Sequence, residues 1–133
     1  MYEILLAVDQ NEDRSRACAA AAADLPGAPA DKHVTIVHSF TDNPEGASAA
    51  QLESVRVAQA YLEERDLAVT VDETSGDPTE VLPKVAADVD ADLLVLAGRG
   101  RSPAGKALFG SVTQSLIRNS DRPVLVTGES VAE

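Results

Sequence analysis

Apolar residues occur in two alternating patterns along this chain. Short unbroken runs are followed by longer stretches with helical spacing. Ile4-Leu5-Leu6-Ala7-Val8 is the first run, as expected for a strand covered on both faces. Asp9 ends it, and Asn11 to Leu25 reads as an alanine-rich helix closed by Pro26-Gly27. Val34-Thr35-Ile36-Val37-His38 is a β-branched strand. A helix from about Gly46 to Arg65 follows, with Leu52, Val55, Ala58 and Leu62 on one stripe. Leu67 to Val71 is a shorter strand. Asp77-Pro78-Thr79-Glu80 combines a capping residue, a first-turn proline and a glutamate placed for a capping box. The helix it opens carries Val81, Leu82, Val85 and Val89, and Pro83 predicts a local distortion. Leu93 to Ala97 is the most hydrophobic run. A glycine-rich loop, a helix from Ser111 to Asn119 and a last strand, Arg122 to Val126, complete the series.

Strands and helices in strict alternation predict an α/β fold, with a five-stranded parallel sheet and helices on both faces, formed by a single domain over 1–133. Ligands of such sheets bind beyond the carboxyl ends of the strands, where the winding reverses. Asp9 and Gly98-Arg99-Gly100 are the residues expected there.

Charge narrows the partners. There are 22 acidic residues against 11 basic ones, a formal net charge of -11. Such a chain repels nucleic acid and anionic membranes. Only Lys32, Lys84 and Lys106 are lysines. Many carboxylates, few lysines and much alanine suit solubility in high salt and point to a halophilic source. No apolar run approaches the ~18 residues of a membrane span. The chain begins directly with a strand-like segment, so a cytoplasmic location without a signal peptide is expected. Cys18 is the single cysteine, and its alanine-rich setting makes it a small buried side chain.

The chemistry concentrates between Ala97 and Ser111. This segment leaves a buried strand, makes a glycine-rich excursion and begins a helix. Backbone N–H groups in such a loop and at a helix start can surround phosphate oxygens. Arg99, Arg101 and Lys106 lie within eight positions of an otherwise acidic chain. Ser111-Val112-Thr113-Gln114 also matches a capping box, so Ser111 has a structural reading beside the functional one. His33 and His38 read as structural or solvent-facing rather than catalytic, and no histidine–nucleophile arrangement or metal-ligand spacing is evident in the sequence.

Over nearly its whole length the chain resembles the universal stress protein family, of the UspA-like kind. The resemblance is carried by Ile4 to Asp9, Gly76-Asp77-Pro78, Ala91 to Leu96, Gly110 to Thr113 and Arg122 to Val126. It implies a sheet of strand order 3-2-1-4-5, similar to the adenine-nucleotide alpha-hydrolase-like (Rossmann-like) folds. ATP-binding members carry a glycine, two residues, a second glycine, nine residues, then Gly-Ser or Gly-Thr. Gly100 and Gly110-Ser111 match that pattern, while Ala97 occupies the first glycine's place and Gly98 stands one position late. The resemblance implies that ATP, or ADP or AMP, with or without Mg²⁺, is held by Asp9, Ser39, Leu96, Ala97, Gly98, Gly100, Gly110, Ser111, Val112 and Thr113. Arg99 and Arg101 are proposed as side-chain phosphate ligands flanking that set. It also implies a homodimer joined through Val124, Leu125 and Val126, acting as a stress sensor or adaptor for another protein rather than as an efficient enzyme.

Ala97 keeps open a second reading, a protein-interaction module without nucleotide. A weak ATPase or phosphotransferase is the third, although the sequence offers no assigned general base. A phosphoacceptor response regulator is excluded, because Thr127-Gly128 follows the last strand where a lysine is required.

Overall fold

Two stretches of side chains, one on each side of a central sheet, account for the continuous apolar runs. In this computed structural model, which describes residues 1–40, 46, 48–98 and 110–128, β1 (Tyr2–Ala7) lies at the centre of the sheet. Ile4 and Leu6 project to one face and pack with Cys18, Ala19, Val55, Ala58 and Leu62. Leu5 projects to the other and packs with Leu82, Ala86 and Leu116. Alternation along a strand sends neighbours to opposite faces, so a strand covered twice is apolar throughout.

The sheet has five parallel strands in the order β3-β2-β1-β4-β5. The others are β2 (Lys32–Phe40), β3 (Ala68–Ser75), β4 (Leu93–Ala97) and β5 (Val124–Thr127). Helices α1 (Glu12–Asp24) and α2 (Glu53–Glu63) cover the first face, and α3 (Pro78–Asp88) and α4 (Ser111–Asn119) the second. The winding direction changes between β1 and β4, which places the crevice of the fold at their carboxyl ends.

Local signals explain the boundaries. Asn11 caps α1 by accepting from the Arg14 amide at 2.8 Å. Asp77 caps α3 through the Thr79 amide and hydroxyl. That helix runs through Pro83 to Asp88, so the proline removes one donor without ending it. The helix expected from Gly46 is shorter. Ser48 and Gln51 form a capping box around a 3-10 turn, Ala49–Gln51, and Leu52 returns to extended geometry before α2 begins. β2 extends beyond both of its expected ends, whereas β3 starts at Ala68 rather than Leu67 and runs on to Ser75.

The cap of α4 also differs from expectation. Gly110 occupies the capping position, and Ser111 is the first helical residue. The Gln114 amide donates to the Gly110 carbonyl at 3.0 Å. A capping side chain must precede the first helical residue, so the Ser111 hydroxyl does not serve that purpose.

Candidate functional site

A crevice of about 170 Å³ opens where β1, β2 and β4 end. Three connections build it. Asp9 follows β1, and its main chain is fixed from beneath by the Ser54 hydroxyl, which donates to the Asp9 carbonyl at 2.7 Å. Ser15 in turn donates to the Ser54 carbonyl at 2.6 Å, which ties α1 to the start of α2. The Ser39 hydroxyl donates to the Gly76 carbonyl, and the Gly76 amide to the Phe40 carbonyl. Gly76 has φ +117°, and a Cβ there would meet Val81 at 3.3 Å. Glycine at this position lets the chain leave β3 and enter α3 with Pro78 and Leu82 against the crevice.

The other wall is the start of α4. Gly110, Ser111, Val112 and Thr113 line the crevice with Leu96 and Ala97. The Thr113 hydroxyl donates to the Ala97 carbonyl at 3.3 Å and pins the first turn to the end of β4. The first amides of a helix have no acceptor within it. Those of Ser111, Val112 and Thr113 find no main-chain acceptor among the described residues either. The positive end of the α4 dipole therefore faces the crevice, a setting that favours an anion.

Asp9 is not a bare charge. Its Oδ2 accepts from Arg14 Nε at 2.9 Å, and its Oδ1 accepts from the Asn11 amide at 2.8 Å. The Arg14 side chain is 14% exposed against 45% for Asp9, so the guanidinium is the more buried partner. Cys18 also lines the crevice wall. Burial pushes its thiol up to about 12, against a weaker opposing effect of its contact with the Thr127 hydroxyl at 3.9 Å. A thiol so protonated is no nucleophile near neutral pH.

The structure brings together Asp9, Ser39, Leu96, Ala97, Gly110, Ser111, Val112 and Thr113 around one space. Gly98 is apart from them: it is buried, and its amide donates to the Thr127 carbonyl at 2.8 Å, so that amide is not free for a phosphate. Arg99, Gly100 and Arg101 lie outside the described residues. Arg14 and His38 are crevice residues that the sequence reading did not assign. Arg14 carried a faint signal, since it lies within a helix turn and a half of the strand-end aspartate. Among the described residues, acidic and histidine side chains form no group able to hold a metal ion.

These features define an open α/β protein with an anion-favouring crevice at the switch point of its sheet. The profile of the universal stress protein family matches residues 1–128, and the chain belongs to that family. A stress response protein of Bacillus subtilis, NhaX, is 34% identical over 74 residues, 56% of this chain and 45% of that one. A universal stress protein of Mycolicibacterium smegmatis is 36% identical over 80 residues, 59% of this chain and 62% of that one. Each match thus spans less than two thirds of the relative's length. Among solved structures, a universal stress protein from Archaeoglobus fulgidus superposes with TM-score 0.76 at 25% identity, over 96% of this chain and 98% of that one. An Archaeoglobus fulgidus universal stress protein in complex with dAMP gives TM-score 0.73 at 22% identity, with 96% and 98% covered. A universal stress protein in complex with cAMP gives 0.73 at 24%, with 97% and 98% covered. The expected fold, including its strand order, is the observed one.

Proposed function

We propose that this protein binds an adenine nucleotide, ATP or its di- or monophosphate, in the crevice and acts as a binding protein rather than an efficient enzyme. One observation carries this reading: the first-turn amides of α4, which have no main-chain acceptor among the described residues, face a space walled by strand ends. The dAMP and cAMP complexes of proteins with the same fold support it. In this reading phosphate lies against Ser111, Val112 and Thr113, and the base and ribose lie towards Ser39, Leu96 and Asp9. Arg99, Gly100 and Arg101 would close the phosphate end. Ala97, in place of glycine, brings one methyl group to the wall.

The described residues do not fit a protein-held Mg²⁺. Among the described residues Asp9 is the one carboxylate lining the crevice, and a hard cation needs several oxygen ligands. Binding is therefore expected with and without Mg²⁺. Calorimetric titration with ATP, ADP and AMP in near-native salt, each with Mg²⁺ or EDTA, tests the reading. Silence towards all of them would leave the interaction module as the function.

A second copy of the chain is proposed to pair along β5. Val124, Leu125 and Val126 are half-buried in the isolated chain and form a sheet edge, which is a liability unless covered. Light scattering of the protein and of Val126→Glu checks this, with a shift from dimer to monomer expected.

A further inference from the structure

His38 lies near the carboxyl end of β2, 8% exposed, and contributes to the crevice wall. Its Nδ1 is 2.9 Å from the Val8 carbonyl oxygen. A carbonyl only accepts, so Nδ1 carries the hydrogen and donates. In the neutral ring Nε2 is then a lone-pair acceptor. Nε2 makes no hydrogen bond with the described residues. Nor is any buried side-chain nitrogen or oxygen among them both sealed from solvent and unpaired. Nε2 therefore keeps an opening, and the crevice is the space His38 borders. Phe40 holds the ring edge-to-face, with centroids 4.6 Å apart at 81°. The acceptor is thus fixed in direction.

The chain's other histidine is a control. His33 Nδ1 is 2.7 Å from Glu3 Oε2, and its Nε2 is 2.8 Å from Thr70 Oγ1. Both its nitrogens are occupied at the far end of the sheet. His38 has one nitrogen anchored and the other without a partner among the described residues, the arrangement of a group positioned to receive one.

We propose that His38 is a specificity-determining residue: its Nε2 accepts a hydrogen bond from an N–H or O–H of the bound nucleotide. The adenine amino group and a ribose hydroxyl share that chemistry. The proposal rests on the nucleotide-binding reading and adds to it a criterion of selection. A ligand that presents only acceptors at this point covers Nε2 and leaves it unpaired.

Titration of the full chain with AMP tests it. With ¹⁵N-labelled histidine the spectrum has two rings, and His33→Asn assigns them. The His38 Nε2 resonance is expected to move on saturation while Nδ1 stays. In calorimetry, His38→Asn keeps an amide donor towards the Val8 carbonyl and removes the Nε2 acceptor. It is expected to bind AMP about tenfold more weakly. Inosine monophosphate, 2′-deoxy-AMP and 3′-deoxy-AMP distinguish the donors. The analogue that lacks the relevant donor should bind the unmodified protein about tenfold more weakly and lose nothing further in His38→Asn. AMP saturation with a stationary Nε2 resonance, or a His38→Asn variant that binds AMP and every analogue as tightly as the unmodified protein does, would overturn the proposal and leave nucleotide binding standing. If the unmodified protein binds no adenine nucleotide, both readings fall. Should His38→Asn not fold, the resonance of the unmodified protein decides.

Discussion

At the amino ends of the strands polar groups are paired with one another, whereas at the carboxyl ends several have no partner among the described residues. Lys32 is 2% exposed, and its Nζ donates to the Ala23 and Leu25 carbonyls at 3.1 and 2.8 Å. It supplies the positive charge that the last turn of α1 lacks. Asp92 exchanges bonds with the Glu3 main chain, and Arg122 donates to the Ala91 carbonyl and the Asp90 carboxylate. At the crevice the α4 amides and His38 Nε2 have no such closure among the described residues. Closed polar groups hold a fold together, and open ones preserve the capacity to bind.

Substitutions at the two ends should therefore separate affinity from stability. Ser111→Glu places a carboxylate at the first position of α4, where the helix dipole favours it. The same carboxylate occupies the place proposed for phosphate. Nucleotide affinity is expected to fall about 100-fold, because like charges brought together cost several kcal/mol. The melting temperature should hold or rise. Unchanged affinity would remove the α4 amides from the binding site. At the closed end, Lys32→Met keeps the apolar stem and deletes the ammonium. Two buried carbonyls lose a charged donor, so urea unfolding should show a loss of about 2 kcal/mol. Affinity of the folded protein should change by less than about twofold. A large change would show that the two ends are coupled.

Cys18 sharpens the comparison because it borders the crevice yet is closed to water. Its folded value is about 12, against 9.0 for an ordinary thiol. Between those values the unfolded chain has released the proton and the folded chain has not. Stability from this group is complete below pH 9 and declines as pH rises through the interval. The slope approaches about 1.4 kcal/mol per pH unit. Urea midpoints of the protein minus those of Cys18→Ala, taken at pH 8, 9 and 10, isolate the contribution from tyrosine and lysine titration. A flat difference would mean that the thiol is better solvated than its burial indicates.

Much of the fold was legible because apolar runs and helical spacing encode which faces are covered. Ile4 to Val8 and Leu93 to Ala97 are unmistakable on that ground, and Asp77-Pro78 marks a helix start. The crevice was legible in part, since strand-end residues and Gly110 to Thr113 follow from order along the chain. Arg14 and His38 were not. Arg14 reaches Asp9 only because α1 packs back across β1. The openness of His38 Nε2 depends on the Val8 carbonyl fixing the other nitrogen, a contact between β2 and the residue that follows β1. Ser111 kept a capping reading beside the functional one because a serine and a glutamine three apart fit that motif wherever the helix begins. The closures that follow α2 and α3 lack the usual glycine signal, because aspartate stands in its place.

Those two positions permit the finest comparison. α2 and α3 end alike: Leu67 N donates to Leu62 O and Ala91 N to Ala86 O, with Asp66 and Asp90 between them at φ +65° and +51°. Residues 62 and 67 meet in one core and residues 86 and 91 in the other, as expected of a Schellman closure. A left-handed aspartate is strained, and its charge opposes the negative end of the helix dipole. Glycine relieves both effects, although it gives the unfolded chain more freedom. Asp66→Gly is expected to stabilise by about 0.5–1 kcal/mol. Asp90→Gly should gain less, because it also removes the 3.2 Å pair with Arg122. That pair is largely exposed on the Asp90 side and worth little, so the two gains should differ by only a few tenths of a kcal/mol. Urea titration of the two variants side by side measures the order. The reverse order would show that strain at the end of α3 outweighs everything its carboxylate contributes.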